Sequence, residues 1–365
     1  MFGQRLMSIN MWMRAVHQLY EQRLWRFQET SNIDRIPPIF CFIKPQAHDD
    51  TMAQKAKVTT VARFPEHFFL ENIVVRQDGS ILVTVYVQKK IFYIPKPGSQ
   101  LVTPQLLHEF DQFTTGIVEV KPDVFYISTT SVKGDAPSRL WKLDMNNYTE
   151  SKTDFPQPVL VFTFPSEARA LNGSCLISPS TILLADSWAD LIWRVDLSDD
   201  GSVASAHTWL KHEMLGHLEA KTDVPGVNGL KYNPNDHHVY FTSTARTIFG
   251  RVPINTITCE PAGEPMDVTD RWMQADDLLI DETTNACYVT THRQNTIEKF
   301  DLNSFERVNI IGNPVDLQVL GPTAGAWGRE LGEYGRVAYF TTDGGHMNPY
   351  NGEVRPASVV RIEFS

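Results

Sequence analysis

Six short runs of the chain resemble one another closely: ILVTVYV from residue 81, VFYISTT from 124, ILLADSW from 182, VYFTSTA from 239, CYVTTHR from 287 and VAYFTTD from 337. They recur about every 50 residues, which is the spacing of propeller blades. Each is rich in Val, Ile, Phe, Tyr and Thr and is bounded by turn residues, so each reads as a strand. A second strand-like segment follows every run (IFYIPK, RLWKLDM, LIWRVDL, FGRVPI, IEKFDL, VVRIEF), and a short one opening on a small or polar turn precedes it (ENIVV, TGIVEV, NGSCLI, NGLKYN, DDLLID, PTAGAW). Six meanders of at least three strands, with runs such as LVFTF or NIIG outermost, make an all-β, six-bladed β-propeller.

A propeller must close on itself, and the last blade runs out of chain before its fourth strand. KVTTVARF, residues 57–64, has the β-branched composition to supply that strand and to remove an edge that would otherwise invite aggregation. The expected organisation is therefore an N-terminal helix and linker over 1–56 and the propeller over 57–365. Ile9, Trp12, Met13, Val16, Tyr20, Leu24 and Phe27 fall at helical spacing. They suit a helix docked on the main domain or, with Arg14, Arg23 and Arg26, a lid or membrane-surface helix. Pro37, Pro38 and Pro45 mark the following stretch as irregular.

The formal net charge of -10 and the lack of a basic stripe interleaved with aromatics exclude nucleic acid as the expected partner. Cys41, Cys175, Cys259 and Cys287 are far apart and form no CxxC pair, which suits a reducing cytoplasm. Every apolar run near the N-terminus is interrupted by polar residues, and no run is long enough to span a bilayer. The oligomeric state has no signature in the sequence.

In a propeller the innermost strands line a central channel, and the loops entering them form one mouth. That places Glu71, Gly116, Asn172, Asn228, Asp277 and Thr323 around one rim, and Trp188, Arg246, His292 and His346 in a second ring from the loops after the middle strands. Two carboxylates and an amide from Glu71, Asn228 and Asp277 suit a hard cation such as Ca²⁺, Mg²⁺ or Mn²⁺, or else hydrogen bonds to loop backbone. Trp188, Trp327 and Phe249 suit either an apolar pocket wall or the core. The loop TTDGGHMNPYNG around His346 reads as a rim loop. No Gly-x-Ser-x-Gly nucleophile elbow is present.

The patterns ENIVV, LNGSCLIS, VNGLKYNPNDHHVYFTSTARTIFGRV, DDLLIDETTNACYVTT and GPTAGAWGR, over roughly residues 65–364, resemble the senescence marker protein/gluconolactonase/luciferin-regenerating family. The resemblance implies a divalent cation on Glu71, Asn228 and Asp277, with Asn172 contacting substrate, and metal-dependent lactone hydrolysis with Asp277 or Asp276 as base. The chain departs from the family where an Arg is replaced by Ala170 and where a PDG turn reads Ala275-Asp276-Asp277, so that two aspartates compete for one role. Losing a guanidinium that grips a sugar acid weakens the lactonase reading.

Within that frame, ENIVVRQDGSILVT, VEVKPDVFYIST, TSTARTIFGRVPI and GPTAGAWGR look like the fungal propeller hetero-Diels-Alderases of tropolone sesquiterpenoid biosynthesis. That likeness implies a cofactor-independent pericyclase joining a tropolone-derived ortho-quinone methide, of polyketide origin, to a humulene-type terpene. Asn228, Asn172, Arg246 and His292 would be hydrogen-bond donors to the quinone-methide oxygens. His292, His346 or a protonated Glu71 would be the acid that expels water from a hydroxymethyl precursor. Trp188, Trp327, Phe249 and Thr323 would hold the substrates. A non-catalytic binding scaffold is the third possibility for a propeller.

Overall fold

The computed structural model describes residues 56–131, 135–150, 154–217, 224–269 and 274–364. The expected N-terminal helix lies outside the described residues. Twenty-four strands form six four-stranded antiparallel sheets. Five of them are simple meanders, built in chain order on the first strands Leu70–Val75, Phe113–Lys121, Leu171–Ser178, Val227–Asn233 and Leu278–Asp281. These are blades 1 to 5. Blade 6 begins with Pro322–Trp327, continues through Val337–Thr342 and Pro356–Glu363, and is completed by Lys57–Glu66 from the other end of the described chain. The expected closure is therefore present, with Lys57 opposite Glu363 and Glu66 opposite Pro356.

The first strand of each blade packs on the first strands of both neighbours, which puts those six strands around a common axis. Six apolar clusters fill the six gaps between blades. Blades 1 and 2, for example, share Leu82, Ile91, Phe125 and Ile127, and blades 4 and 5 share Tyr240, Phe249, Val289 and Phe300. This explains why the repeated runs read as nearly unbroken apolar stretches. Both faces of a middle strand are covered by a neighbouring blade, and in Val124–Thr130 every residue is buried. The outermost strands, such as Val159–Thr163, are largely exposed.

A belt of hydroxyl groups crosses every blade junction near the channel mouth. The hydroxyls of Thr84, Thr130, Ser187, Thr244 and Thr290 donate to the carbonyls of Thr115, Arg169, Val227, Ala275 and Thr323, at 2.6, 3.2, 2.7, 2.8 and 2.6 Å. Thr323 closes the circle by donating to the carbonyl of Leu70 at 2.7 Å. Buried carbonyls at the crowded axis cannot all pair within their own sheets, so a short hydroxyl side chain from the next blade satisfies them. The recurrent Ser/Thr toward the end of the repeated runs of blades 1 to 5 is the sequence trace of this belt, and in blade 6 the donor comes from the first strand instead.

Candidate active site

The first strands of blades 1, 2, 3, 4 and 6 are irregular at the same place. Pairing shifts register between Leu70 and Asn72, Thr114 and Ile117, Leu171 and Ser174, Val227 and Leu230, and Pro322 and Gly325. A bulge rotates the intervening side chain out of the pleat. The residues so displaced include Glu71, Thr115, Asn172 and Asn228, and all four line one axial pocket. The Asn-Gly pairs at 172–173 and 228–229 follow from the same crowding. A Cβ on Gly173 would lie 2.4 Å from the carbonyl oxygen of Asn228, and one on Gly229 would lie 2.6 Å from the Cα of Asp277. Only glycine lets adjacent first strands approach this closely. The paired Asn is then left to face the pocket.

The pocket offers about 140 Å³ to the centres of water-sized molecules and opens to solvent at the mouth. Phe69, Tyr86, Leu171, Trp188, Pro225 and Met347 supply apolar wall. Against it stand Glu71, Asn172, Asn228, Asp276, His292 and Arg293. Asn172 donates to the hydroxyl of Ser187 at 3.2 Å and Asn228 to that of Thr244 at 3.0 Å, which fixes both amides. Their carbonyl oxygens keep free lone pairs.

Charge is concentrated on one side. His292 donates from Nε2 to the Asp343 carboxylate at 2.9 Å, while its Nδ1 lies 3.7 Å from Asp276 Oδ2. Burial alone would lower the His292 pKa, but Asp343 and then Asp276 outweigh it and hold the ring above its ordinary value. Burial, aided by Asp277 and Asp343, pushes the carboxyl of Glu71 up to about 8, so it carries a proton at neutral pH. Asp276 is also raised, by burial first and by Glu71, Asp277 and Asp343 against the opposing pull of His292. Burial and then Glu71 raise the phenol of Tyr86. These acids and His292 exchange protons as a group.

Several expected site residues are placed elsewhere. Asp277 is not on the pocket wall: its carboxylate accepts from the backbone of Leu278 at 2.7 Å and from the Asn72 amide at 3.1 Å, and it faces the Lys231 ammonium at 3.4 Å. Asp276, one residue earlier, points into the pocket instead. Trp327 is core, its indole N–H donating to the carbonyl of Ile280 at 2.6 Å and its ring packed on Tyr288 and Phe364. Phe249 is fully buried between Tyr240 and Phe300 in the gap between blades 4 and 5. Thr323 is buried in the hydroxyl belt. Arg246 lies half-buried outside the pocket wall, and His346 sits beside it, edge-on to Phe69. Burial lowers the His346 pKa.

Glu71, Asn228 and Asp277 therefore do not converge as a cation site. The positive charge that a divalent cation would bring to these acids is already provided by Lys231 at Asp277 and by His292 at Asp276. The set that the family resemblance implied shares one wall only with Asp276 in place of Asp277, the exchange that Ala275-Asp276-Asp277 left open.

Phe69, Tyr86, Arg293 and Met347 of the pocket wall, and Asp343 behind it, were not singled out by sequence, whereas Asp276 was expected as an alternative base. One signal pointed to several neighbours of the cavity: the residue directly after each middle strand is Tyr86, Ser187, Thr244, His292 and Asp343 in blades 1, 3, 4, 5 and 6.

No protein-family model matches the chain, and no curated protein matches it in sequence. Among solved structures, a luciferin-regenerating enzyme superposes with a TM-score of 0.58 at 13% identity over 84% of this chain and 95% of that one. A calcium-binding regucalcin from Agrobacterium tumefaciens gives 0.55 at 13% identity over 84% and 97%. The PQQ-bound aldose sugar dehydrogenase of Streptomyces coelicolor gives 0.56 at 12% identity over 86% and 99%. At these identities the likeness establishes the propeller fold and leaves the chemistry to the pocket. Among the described residues no helix is long and apolar enough to cross a membrane.

Proposed function

We propose that the axial pocket is the active site of a hetero-Diels-Alderase that dehydrates a hydroxymethyl tropolone and joins the resulting ortho-quinone methide to a humulene-type alkene. The observation that carries this reading is the burial of the Glu71 carboxyl in a pocket walled by Phe69, Tyr86, Trp188 and Met347. A sugar-lactone site would expose ionised carboxylates and cations to a polar ligand. Here Glu71, Asn172, Asn228 and His292 share one pocket with the aromatic and aliphatic side chains of Phe69, Tyr86, Trp188 and Met347, which suits a flat polar ring bound together with an apolar alkene.

In the first step the Glu71 carboxyl donates its proton to the departing hydroxyl, the C–O bond breaks, and water leaves. The ring hydroxyl passes its proton to the His292–Asp276 pair, which leaves the neutral quinone methide, and exchange with water at the pocket mouth returns that pair and Glu71 to their starting states. The fixed amides of Asn172 and Asn228 and the His292–Asp276 pair border the space that its oxygens would occupy, and Arg293 adds a cationic donor. The alkene then closes across the oxygen and the exocyclic carbon, forming one C–O and one C–C bond with no oxidation or reduction. Holding both partners in one cavity removes much of the bimolecular entropy cost, up to ~7–11 kcal/mol in ideal cases. Water exclusion by the wall protects the electrophile.

The test is an assay of purified protein on a hydroxymethyl tropolone and humulene, with and without EDTA. One stereoisomer of a dihydropyran adduct, undiminished by chelation, is expected. Glu71→Gln is expected to lose about 10²- to 10⁴-fold in rate from the hydroxymethyl precursor. It should retain control of the product when the quinone methide is generated chemically in solution. A racemic adduct at the background rate, or cation-dependent hydrolysis of an aldonolactone, would overturn the reading.

A further inference from the structure

Asp343 does not itself line the pocket, but it holds two residues that do. It is fully buried, one position after the middle strand of blade 6. Its Oδ1 accepts from the backbone N–H of Gly345 at 2.7 Å. Its Oδ2 accepts from His292 Nε2 at 2.9 Å and from the backbone N–H of Met347 at 3.1 Å. The carboxylate thus ties a ring from blade 5 to the turn of blade 6 that carries Met347 to the pocket. The turn passes through two left-handed glycines, Gly344 at φ 66° and Gly345 at φ 77°. Behind it, Gly321 has no room for a Cβ, which would overlap the Asp343 carboxylate.

We propose that Asp343 is a positioning residue for the dehydration step: through one carboxylate it fixes the His292 ring with Nδ1 toward Asp276 and sets the turn that places Met347 on the pocket wall. Blade 6, which contributes only Met347 to the wall, thereby governs the acid–base side formed by blade 5. The groups facing the His292 ring are Asp343 on one nitrogen, Asp276 near the other, the edge of Phe69, and the charges of Arg293 and His346 nearby. With Nε2–H committed to Asp343, any proton exchanged with Asp276 or its substrate passes through Nδ1. An Asn at 343 keeps the shape and can still accept from the turn. Its amide N–H₂, however, would face Nε2 and reverse the tautomer, the fault known from acid-to-amide changes in histidine relays.

The activity arm of the test rests on the proposed reaction, and the titration arm does not. His292 is followed by NMR of its imidazole nitrogens from pH 5 to 9 in the full chain, its signal identified by its loss in His292→Gln. The wild-type ring is expected to titrate above the ordinary histidine value. In Asp343→Asn it should fall to or below that value and show the opposite tautomer, and adduct formation from the hydroxymethyl precursor should drop on the order of 10²-fold. Titration and rate that are both unchanged in Asp343→Asn would overturn the proposal. Should that variant fail to fold, Asp276→Asn decides: the ring should still titrate high with Asp343 in place, and a fall to the ordinary value would make Asp276 the governing partner. A shifted titration with no adduct formed by either protein would uphold the positioning role and dismiss the reaction.

Discussion

Glu71 should make the folded protein lose stability as pH rises, and Glu71→Gln should remove that loss. The carboxyl titrates near its ordinary value of 4.5 in the unfolded chain and at about 8 in the fold. Below pH 4.5 both states hold the proton and the group contributes nothing. Between the two values the folded state keeps a proton that the unfolded state has released, so each pH unit costs about 1.4 kcal/mol of stability. Above pH 8 the cost is complete, on the order of 5 kcal/mol. Gln mimics the protonated acid at every pH, so the variant should match wild type near pH 4.5, draw ahead steadily, and stay ahead by that margin above pH 8. In melting temperature the gap is on the order of 10 °C, at about 2 °C per kcal/mol for a domain of this size. Thermal unfolding of both proteins in steps of half a pH unit measures the difference directly. A gap that stays flat from pH 4 to 9 would show that Glu71 ionises like an exposed carboxyl, and the acid assigned to the dehydration step would then be absent at neutral pH.

Thr290→Val removes the belt's bond across blades 5 and 6 and leaves the carbonyl of Thr323 only the backbone N–H of Asp277 at 3.2 Å, at a cost of about 0.5–1.5 kcal/mol in urea unfolding; an unchanged midpoint would mean that the belt is incidental. Gly229→Ala drives a methyl into the backbone of Asp277 and should cost at least ~2 kcal/mol, with loss of adduct formation as the neighbouring Asn228 is displaced. The contrasting Gly98→Ala has open space around it, and it should lose only the modest strain of its positive φ. Deleting residues 57–64 should leave insoluble protein, and a soluble, cooperatively folding deletion would remove the closing strand from its role.

The blades were legible because each middle strand is covered on both faces, so the repeat appears as apolar runs that composition alone can find. The closing strand was legible for the complementary reason, a missing partner at one end and an unassigned β-branched run at the other. Asn172 and Asn228 were readable because a glycine required by crowding follows each. Asp276 and Asp277 were not separable, since a one-residue shift at the start of a strand exchanges pocket for interior and the sequence Ala-Asp-Asp carries no mark of the register. Trp327 and Phe249 misled because an aromatic near a blade end packs between blades as readily as it faces a ligand. Asp343 went unnoticed because its importance lies in two backbone N–H groups and a ring from another blade, none adjacent in sequence.

The pairing of Lys57–Glu66 with Pro356–Glu363 also has a consequence for how the chain is made. The first strand of the described chain leaves the ribosome roughly 290 residues ahead of its partner, which at typical synthesis rates is on the order of 15 to 60 s. Throughout that interval a ten-residue β-branched strand has nothing to pair with in its own sheet. Five blades can assemble as they emerge, but the ring stays an open arc with an unoccupied edge until residues 356–363 have emerged. Cellular yield of this protein should therefore depend on how fast it is translated and on which chaperones attend the waiting strand, even under conditions where the finished ring is stable.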